Sequence, residues 1–266
     1  MKRCAVWILA CLIAVGALCG CGAQQPDASL PKLIIGSDTY PPYVYIDNNG
    51  DITGLDVELA REAFRRMGYE AEFTFIDWER KKALVDNGDI DCIWGCFSMN
   101  GREEDYLWAG PYMVSRQVVA VNRNSDIQTL GDLAGRSIAV QATTKPEELF
   151  LTRSTDDIPE VKAVFSLEDR SVQYAALESG YVDAIAAHEE AITQYMEDYG
   201  AEFRFLDPPL LLSGIGVAFS DNDTRGLAGE LTKTLAEMRQ DGTMLAIVSK
   251  YIEHPEIYLE VETLGR

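Results

Sequence analysis

Three polar side chains in one short segment could together bind a carboxylate. Arg102 follows Ser98 by four residues and Asn100 stands between them, just after the apolar residues 90–94. An arginine can hold a carboxylate through two parallel hydrogen bonds. A lone arginine in a loop is more often a solvated charge, so this segment indicates a ligand site only in combination with other residues.

Aromatic side chains occupy two other places where a strand is expected to end. Tyr40 opens the loop Tyr40-Pro41-Pro42-Tyr43, and Trp78 stands at the start of an expected helix. Ligands of open α/β sheets bind beyond the carboxyl ends of the strands, so these rings could wall a site. A stiff surface turn with one packed tyrosine explains the same loop without a ligand.

Two threonines precede a predicted helix. Free backbone N–H groups and the helix dipole at such a terminus favour an anion. Thr144 with Glu147 three residues later fits a capping box, which explains Thr144 without a ligand but leaves Thr143 unexplained.

Metal and hydrolytic sites find no support in the sequence. The two histidines, His188 and His254, give neither a metal-ligand spacing nor a hydrolytic triad, and glycine-rich phosphate loops and the G-x-S-x-G motif are absent. We therefore predict no metal, no cofactor and no catalytic residue. Cys92 and Cys96 would lie ~13 Å apart in a straight strand, beyond disulfide reach, although a turn after Trp94 could close the gap.

Strands and helices alternate along the chain, which predicts an α/β fold with a largely parallel, covered sheet. Asp56 is predicted to cap a helix that Gly68 ends. The predicted strands cover residues 33–37, 71–76, 90–94, 117–121, 137–141, 161–165, 182–187, 203–206 and 215–219. The predicted helices cover residues 56–68, 79–86, 168–179, 224–239 and 243–253, with another after Thr144.

A loose repeat predicts two lobes of similar plan. Residues 83–93 and 176–185 each contain a helix end, a glycine cap and a strand that opens with Asp. Any α/β protein can contain such a pair by chance. We place lobe 1 at residues 32–116 plus 216–266 and lobe 2 at residues 117–215, so that two crossings of the chain form a hinge over a cleft.

The composition excludes some partners. The chain has 266 residues, of which 47% are hydrophobic and 25% are charged, as in globular proteins. Its formal net charge of −20 repels phosphate backbones, so we expect no nucleic-acid partner. A local positive site can still bind a small anion.

Residues 1–20 have the pattern of an export signal: Lys2 and Arg3, an apolar stretch, then small residues. The quartet Leu18-Cys19-Gly20-Cys21 resembles the bacterial lipobox, which implies cleavage after Gly20 and an acylated Cys21. Residues 21–31 would then be a lipid-anchored tether on the extracytoplasmic face of the cell membrane, with acyl chains such as palmitate. The alternative is an ordinary secretory signal with an incidental cysteine.

Five motifs in register resemble the family-3 extracellular solute-binding proteins, the polar amino-acid-binding proteins of bacterial ABC importers. They span nearly all of the mature chain and comprise residues 36–43, 54–59, 98–102, 141–144 and 241–243. The resemblance implies a two-lobed, hinged, periplasmic-binding-protein-like α/β fold of type II, each lobe a mostly parallel sheet flanked by helices. It also implies a monomeric, non-enzymatic receptor that closes on an amino acid and delivers it to ABC permease and ATPase subunits.

The resemblance also implies roles for individual residues. Arg102 would hold the α-carboxylate, and Tyr40 and Trp78 would be the aromatic walls. The remaining carboxylate contacts would be Ser98, Asn100, Thr143 and Thr144.

Departures from the family pattern leave the partner of the α-ammonium open. Asn100 replaces a hydroxyl residue, and Ala142 stands where glycine is usual. The expected aspartate is missing: His188 lies five residues after Asp183, and Glu189 comes next. We expect Glu189 to meet the ammonium, with His188 on the lobe surface. If His188 lies in the site instead, the ligand need not be an ordinary α-amino acid.

Two other functions remain possible from the sequence. The same fold is used by cyclohexadienyl dehydratases, in which Glu189 or His188 could be a general acid. The other function is that of a ligand sensor that acts through a separate signalling protein. Fold alone does not decide among them.

Overall fold

The structure, a computed structural model, describes residues 30–155 and 157–261. The predicted leader, Cys21 and the tether up to residue 29 lie outside the described residues. Within the described part, no helix is long and apolar enough to cross a membrane.

The described residues alternate between strands and helices, as predicted. The strands are β1 Lys32–Ser37, β2 Tyr45–Ile46, β3 Ile52–Thr53, β4 Glu70–Phe75, β5 Cys92–Ser98, β6 Leu107–Asn122, β7 Ser137–Gln141, β8 Ala163–Leu167, β9 Ala184–His188, β10 Phe203–Phe205 and β11 Leu211–Phe219. The helices are α1 Leu55–Arg66, α2 Lys81–Asn87, α3 Lys145–Thr152, α4 Arg170–Glu178, α5 Glu189–Tyr199, α6 Leu227–Gln240, α7 Thr243–Val248 and α8 Glu256–Leu259, with 3₁₀ turns at Trp78–Arg80 and Leu130–Leu133.

One mixed sheet runs through the molecule in the order β4-β1-β5-β11-β6-β9-β7-β8, with β10 beside β6. The triplets β4-β1-β5 and β9-β7-β8 are each parallel. Strands β6 and β11 pair antiparallel with each other and with their outer neighbours. The predicted α/β fold with parallel strands and flanking helices is confirmed, and the two joining strands add antiparallel pairs that the sequence pattern did not indicate.

Strands β6 and β11 connect the two parallel triplets, and we call them the crossing strands. The lobe boundaries predicted at 116/117 and 215/216 both fall inside these strands. Most side chains of β6 are buried, so the strand lacks polar alternation and the sequence did not show that it continues across the predicted boundary.

Both triplets are covered on both faces. In β5, Trp94 packs in one hydrophobic cluster and its neighbour Ile93 packs in another. In β7, Ile138 and Ala139 are divided between two further clusters in the same way. Successive side chains of a strand point to opposite faces, so each triplet lies between two layers of apolar side chains.

The loop of residues 40–43 packs closely against the start of α1, where the Leu55 N–H donates to the Pro42 carbonyl at 2.9 Å. The α1 helix begins at Leu55 with Gly54 as its N-cap, and not at Asp56 as predicted. Gly54 has φ 130°, and a Cβ there would lie 2.2 Å from the Tyr43 carbonyl oxygen, so only glycine fits. Asp56 is buried in the first turn, where its carboxylate accepts from the Cys96 N–H at 2.7 Å and the Tyr112 hydroxyl at 2.8 Å. Burial raises the pKa of Asp56 to about 7.

Candidate ligand-binding cleft

A narrow cavity of about 20 Å³, with room for roughly one water molecule, lies between segments that follow strands of both halves of the sheet. We call it the cleft cavity. It is lined by Trp78, Cys96, Phe97, Ser98, Arg102, Thr143, Thr144, Pro146, Arg170, Ala186, Ala187 and His188. Residues 78–102 come from the first half and residues 143–188 from the second, so the position agrees with the rule that ligands bind beyond strand ends.

Arg102 presents its guanidinium at the wall of the cleft cavity. Its side chain is 13% exposed and packs over the Phe97 ring, 5.4 Å from the centroid. It donates to the carbonyl oxygens of Ser98 at 3.3 Å and Thr143 at 3.4 Å. Both bonds are long for a charged donor, and its ion pair with Glu148 Oε2 is loose at 3.9 Å, so the guanidinium can exchange these contacts for a carboxylate. Burial lowers the pKa of Arg102.

Ser98 and Asn100 support the arginine loop. The Ser98 hydroxyl donates to the Ser213 hydroxyl at 3.0 Å and lines the cavity. The Asn100 side-chain oxygen accepts from the Gly214 N–H at 3.0 Å and does not line it. Asn100 therefore ties the loop to crossing strand β11, and its predicted ligand contact stays a prediction.

Thr143 and Thr144 both line the cavity, but the predicted capping box does not form. The Thr144 hydroxyl donates to the Gln141 carbonyl at 2.6 Å and caps no N–H of α3. Glu147 instead accepts from the Thr143 N–H at 2.6 Å. Thr143 adopts a left-handed conformation with φ 58°, unusual for a β-branched residue, and such backbone strain is often found at functional sites.

Lys81 is a buried cation beside the cavity that the sequence analysis missed. Its ammonium donates to the Thr143 hydroxyl at 2.7 Å and to the Trp78 carbonyl at 3.1 Å, and it lies 4.8 Å from the Trp78 ring centroid. Burial, and then the nearby positive charge of Arg102, lower the pKa of Lys81 to about 7, whereas Asp38 opposes this shift.

The depressed pKa of Lys81 predicts a pH-dependent stability. Between about pH 7 and 10.5 the unfolded chain binds this proton and the folded chain does not, so the free energy of unfolding gains up to about 1.4 kcal/mol per pH unit. Below pH 7 both states bind the proton and this contribution is flat. Urea unfolding of the wild type and Lys81→Met should therefore show a difference that changes between pH 7 and 9 but not between pH 5.5 and 6.5. A constant difference over the whole range would contradict the assignment.

The two predicted aromatic walls occupy different positions. Trp78 is buried against the cleft cavity, edge-on to Phe97 at 5.3 Å between ring centroids. Tyr40 is buried behind Arg170, whose guanidinium carbon lies 3.4 Å from the Tyr40 ring centroid. Tyr40 lines a neighbouring, solvent-open pocket with Tyr174 and Tyr195 and does not line the cleft cavity.

Arg170, the first residue of α4, is a second guanidinium on the cavity wall that sequence reasoning missed. Its Nε donates to Asp38 Oδ2 at 3.3 Å, and Gln141 donates to the same oxygen at 2.6 Å. The pair is nearly buried, with side chains 8% and 13% exposed. It joins the loop after β1 to α4, so it links the two halves of the sheet.

His188 ends β9 and lines the cavity, so the expectation that it lies on a surface is wrong. It is 5% exposed. The Gln117 amide nitrogen lies 2.8 Å from Nε2, and the Ser115 hydroxyl lies 2.8 Å from Nδ1. Ser115 in turn donates to Glu190 at 2.7 Å. Burial and the charge of Arg170 lower the pKa of His188 to about 3, so the imidazole is neutral.

Glu189, the preferred partner of an ammonium in the sequence analysis, does not line the cavity. Its carboxylate forms an ion pair with Arg116 at 3.0 Å. Glu190 is buried and accepts from the Tyr43 hydroxyl at 2.8 Å. Cys92 and Cys96 are both buried free thiols. Among the described residues, no cluster of three or more His, Cys, Asp or Glu side chains could hold a metal ion.

Several bacterial binding proteins are similar in sequence to this chain over most of its length. The chain is 23% identical over 256 residues to the probable amino-acid-binding protein YxeM of Bacillus subtilis (strain 168), covering 94% of this chain and 95% of that protein. It is 25% identical over 280 residues to the L-cystine-binding protein TcyA of the same organism, covering 94% and 97%. It is 27% identical over 240 residues to the histidine-binding periplasmic protein of Salmonella typhimurium, covering 85% and 90%.

Solved structures share the fold. The crystal structure of Tv2483 bound to L-arginine aligns with a TM-score of 0.78 at 27% identity, covering 86% of this chain and 93% of that chain. An ancestral amino-acid-binding protein that is a precursor of cyclohexadienyl dehydratase aligns with a TM-score of 0.72 at 23% identity, covering 84% and 95%, a likeness of fold alone. The family described as bacterial extracellular solute-binding proteins, family 3, matches residues 33–254. Since this match spans most of the chain, the protein belongs to that family.

Proposed function

We propose that this protein is the solute-binding component of an ABC importer and that its cleft cavity holds the carboxylate of a small, amino-acid-sized solute. The observation that carries the proposal is the position of Arg102: a nearly buried guanidinium on the cavity wall, held by two long hydrogen bonds and a 3.9 Å ion pair with Glu148 that a ligand carboxylate would replace. Relatives named for binding cystine and histidine support the class of solute.

Carboxylate binding follows from the groups around Arg102. The guanidinium would form two charge-assisted hydrogen bonds to the carboxylate, and the Thr144 segment at the start of α3 adds the positive end of a helix dipole. Lys81 holds the Thr143 hydroxyl and carbonyl in place and adds a second cation close by. Trp78 supplies an apolar wall for the remainder of the solute.

The cleft cavity as described is too small for a whole solute, so binding and delivery to a permease both require that the two halves move apart. In the described structure, side chains of both halves meet across the cleft cavity, as in the contacts of Lys81 with Thr143 and of Arg170 with Asp38. We propose that the predicted lobes 32–116 plus 216–266 and 117–215 separate by bending at the crossing strands, which breaks these contacts and opens the cavity. Transfer to permease and ATPase subunits would follow.

A dehydratase-like enzyme is less well supported. It needs a general acid that faces the substrate, but Glu189 is turned to Arg116 and both ring nitrogens of His188 are engaged. We therefore propose binding without turnover.

Native purification followed by mass spectrometry of the released small molecule tests the proposed function. We expect one carboxylate-bearing solute per protein and reversible rebinding in calorimetry. A protein that carries no solute and binds no carboxylic acid or amino acid at millimolar concentration would refute the proposal.

The lipid anchor is a separate prediction that rests on the quartet Leu18-Cys19-Gly20-Cys21. Cys21→Ser should remove the acylated thiol, so the protein should leave the membrane fraction or remain an unprocessed precursor. Cys19→Ser is the matched control and should stay anchored. Mass spectrometry of the mature N-terminal peptide measures the acyl groups directly, and an unmodified Cys21 in the wild type would contradict the anchor.

A further inference from the structure

The wall of the cleft cavity offers positive charge but no negative charge. Among its described lining residues, Arg102 and Arg170 are cationic and none is acidic. Lys81, which donates to the Thr143 hydroxyl at 2.7 Å, adds a third positive charge when its amino group is protonated. An α-amino acid carries an ammonium as well as a carboxylate, and this ammonium would need an anionic partner once the cavity closes around it.

His188 cannot be that partner. Both ring nitrogens already have a polar neighbour at 2.8 Å, Gln117 at Nε2 and Ser115 at Nδ1, so neither is free to accept from an ammonium. The ring is deeply buried and lies near the positive charge of Arg170, which keeps it neutral. His188 can therefore neither neutralise an ammonium nor hydrogen-bond to it without losing an existing partner.

The nearby carboxylates are turned to other groups. Glu147 accepts from the Thr143 N–H at 2.6 Å, and Glu148 accepts from Lys145 at 2.6 Å and lies 3.9 Å from Arg102. Glu189 pairs with Arg116, and Glu190 accepts from Tyr43 and Ser115. Asp38 has one oxygen bound to Arg170 and Gln141. Its other oxygen, Oδ1, is buried without a partner, although Asp38 does not line the cavity, so Asp38 is tested below as a partner of an ammonium.

Arg170 lines both the cleft cavity and the neighbouring pocket beside Tyr174. Its Nε is bound to Asp38 and its plane is stacked on Tyr40, which fixes the side chain. Among the described residues, its two terminal nitrogens have no hydrogen-bond partner. An oriented guanidinium with free terminal N–H groups recognises an acceptor such as a carboxylate or a keto oxygen, and it repels an ammonium.

We propose that the cleft cavity binds a small carboxylic acid that has no free ammonium group and whose second acceptor, a carboxylate or a keto oxygen, meets Arg170. The inference rests on the proposed function, since it assumes that the cavity holds a solute through Arg102. It changes the class of solute from α-amino acids to oxo acids and dicarboxylic acids.

Matched pairs of acids test this inference directly. Calorimetry on the full protein, freed of bound solute, would compare pyruvate with L-alanine, 2-oxoglutarate with L-glutamate and phenylpyruvate with L-phenylalanine. Succinate and glutarate separate a second carboxylate from a keto group. In the pair that binds most tightly, we expect the acid without the amino group to bind at least tenfold more tightly than the amino acid.

Substitutions at His188 and Arg170 supply the controls. His188→Asp should shift the preference towards the amino acid by at least tenfold, because it places a carboxylate on the cavity wall, whereas His188→Asn has the same size and should not. Arg170→Met should weaken the oxo acid or dicarboxylate at least tenfold and change amino-acid binding much less. Circular dichroism verifies folding of each variant before titration.

The outcomes separate the inference from the proposed function. An amino acid that binds as tightly as its deaminated partner, or a native solute that reacts with an amine-specific reagent, would overturn the inference and leave the proposed function standing. Binding of an amino acid that is lost in Asp38→Asn would assign the ammonium to Asp38 and overturn it in the same way. A protein that carries no native solute and binds neither class would overturn both.

Discussion

Replacing Arg102 with methionine should weaken solute binding by about 2–5 kcal/mol, because the bound carboxylate would lose its charged partner inside a closed cavity. This corresponds to a loss of roughly 30-fold or more in affinity. The methionine keeps most of the apolar length of the side chain that packs over Phe97, so the fold should persist. Calorimetry with the solute released from the native protein measures the effect.

Arg61→Met is the matched control for this experiment. Arg61 lies on α1, is exposed and donates to the Ile52 carbonyl at 3.0 Å, outside the cleft cavity. Its replacement removes one positive charge from the protein without touching the site, so affinity should stay within about threefold of the wild type, or 0.7 kcal/mol. Near-wild-type binding by Arg102→Met would refute the carboxylate role.

The second large effect is on stability. Arg170→Met should lower the free energy of unfolding by about 3 kcal/mol, because it leaves the Asp38 carboxylate buried without its charged partner. The expected loss of unfolding free energy lies at the lower end of the range for breaking a buried ion pair, because Gln141 continues to donate to Asp38. Urea unfolding of the ligand-free protein measures the change.

A second substitution shows whether the loss comes from the unpaired carboxylate. The double variant Asp38→Asn/Arg170→Met should recover much of the lost stability, because no buried charge remains. The exposed pair of Arg123 and Glu202 gives the control: Arg123→Met should change stability by less than about 1 kcal/mol. Equal losses at Arg170 and Arg123 would show that the pair is not effectively buried.

The parts of the site predicted from the sequence are those that follow directly from strand order. Trp78, Ser98, Arg102 and the threonine pair come just after strands, and parallel strands bring such segments to one edge of a sheet. The alternation of strands and helices also predicted a largely parallel sheet. It did not reveal the length of β6, because a strand buried on both faces shows no alternation.

Lys81 and Arg170 could not be identified in this way. Lys81 starts a helix beside Lys82, and Arg170 follows a capping aspartate, so both have the sequence context of solvated charges. Their burial results from partners far along the chain: Thr143 is 62 residues from Lys81, and Asp38 is 132 residues from Arg170. Such contacts depend on how the two halves of the sheet meet.

Which of His188 and Glu189 faces the cavity depends on the residue at which strand β9 ends. Strand β9 ends at His188 and α5 begins at Glu189, so the chain changes direction between them. The last strand residue still faces the cavity, whereas the first helical residue is turned towards Arg116. Sequence spacing alone could not place that boundary, since element ends are the least certain part of any pattern.

The most direct test of the cleft as the binding site is a crystal structure of the protein purified with its native solute. We expect the solute in the cleft cavity, with a carboxylate oxygen about 2.7–2.9 Å from the Arg102 guanidinium. Thr143, Thr144 and Trp78 should surround it. A solute bound elsewhere, for example in the neighbouring pocket beside Tyr174 and Tyr195, or bound in the cleft without contacting Arg102, would contradict the account.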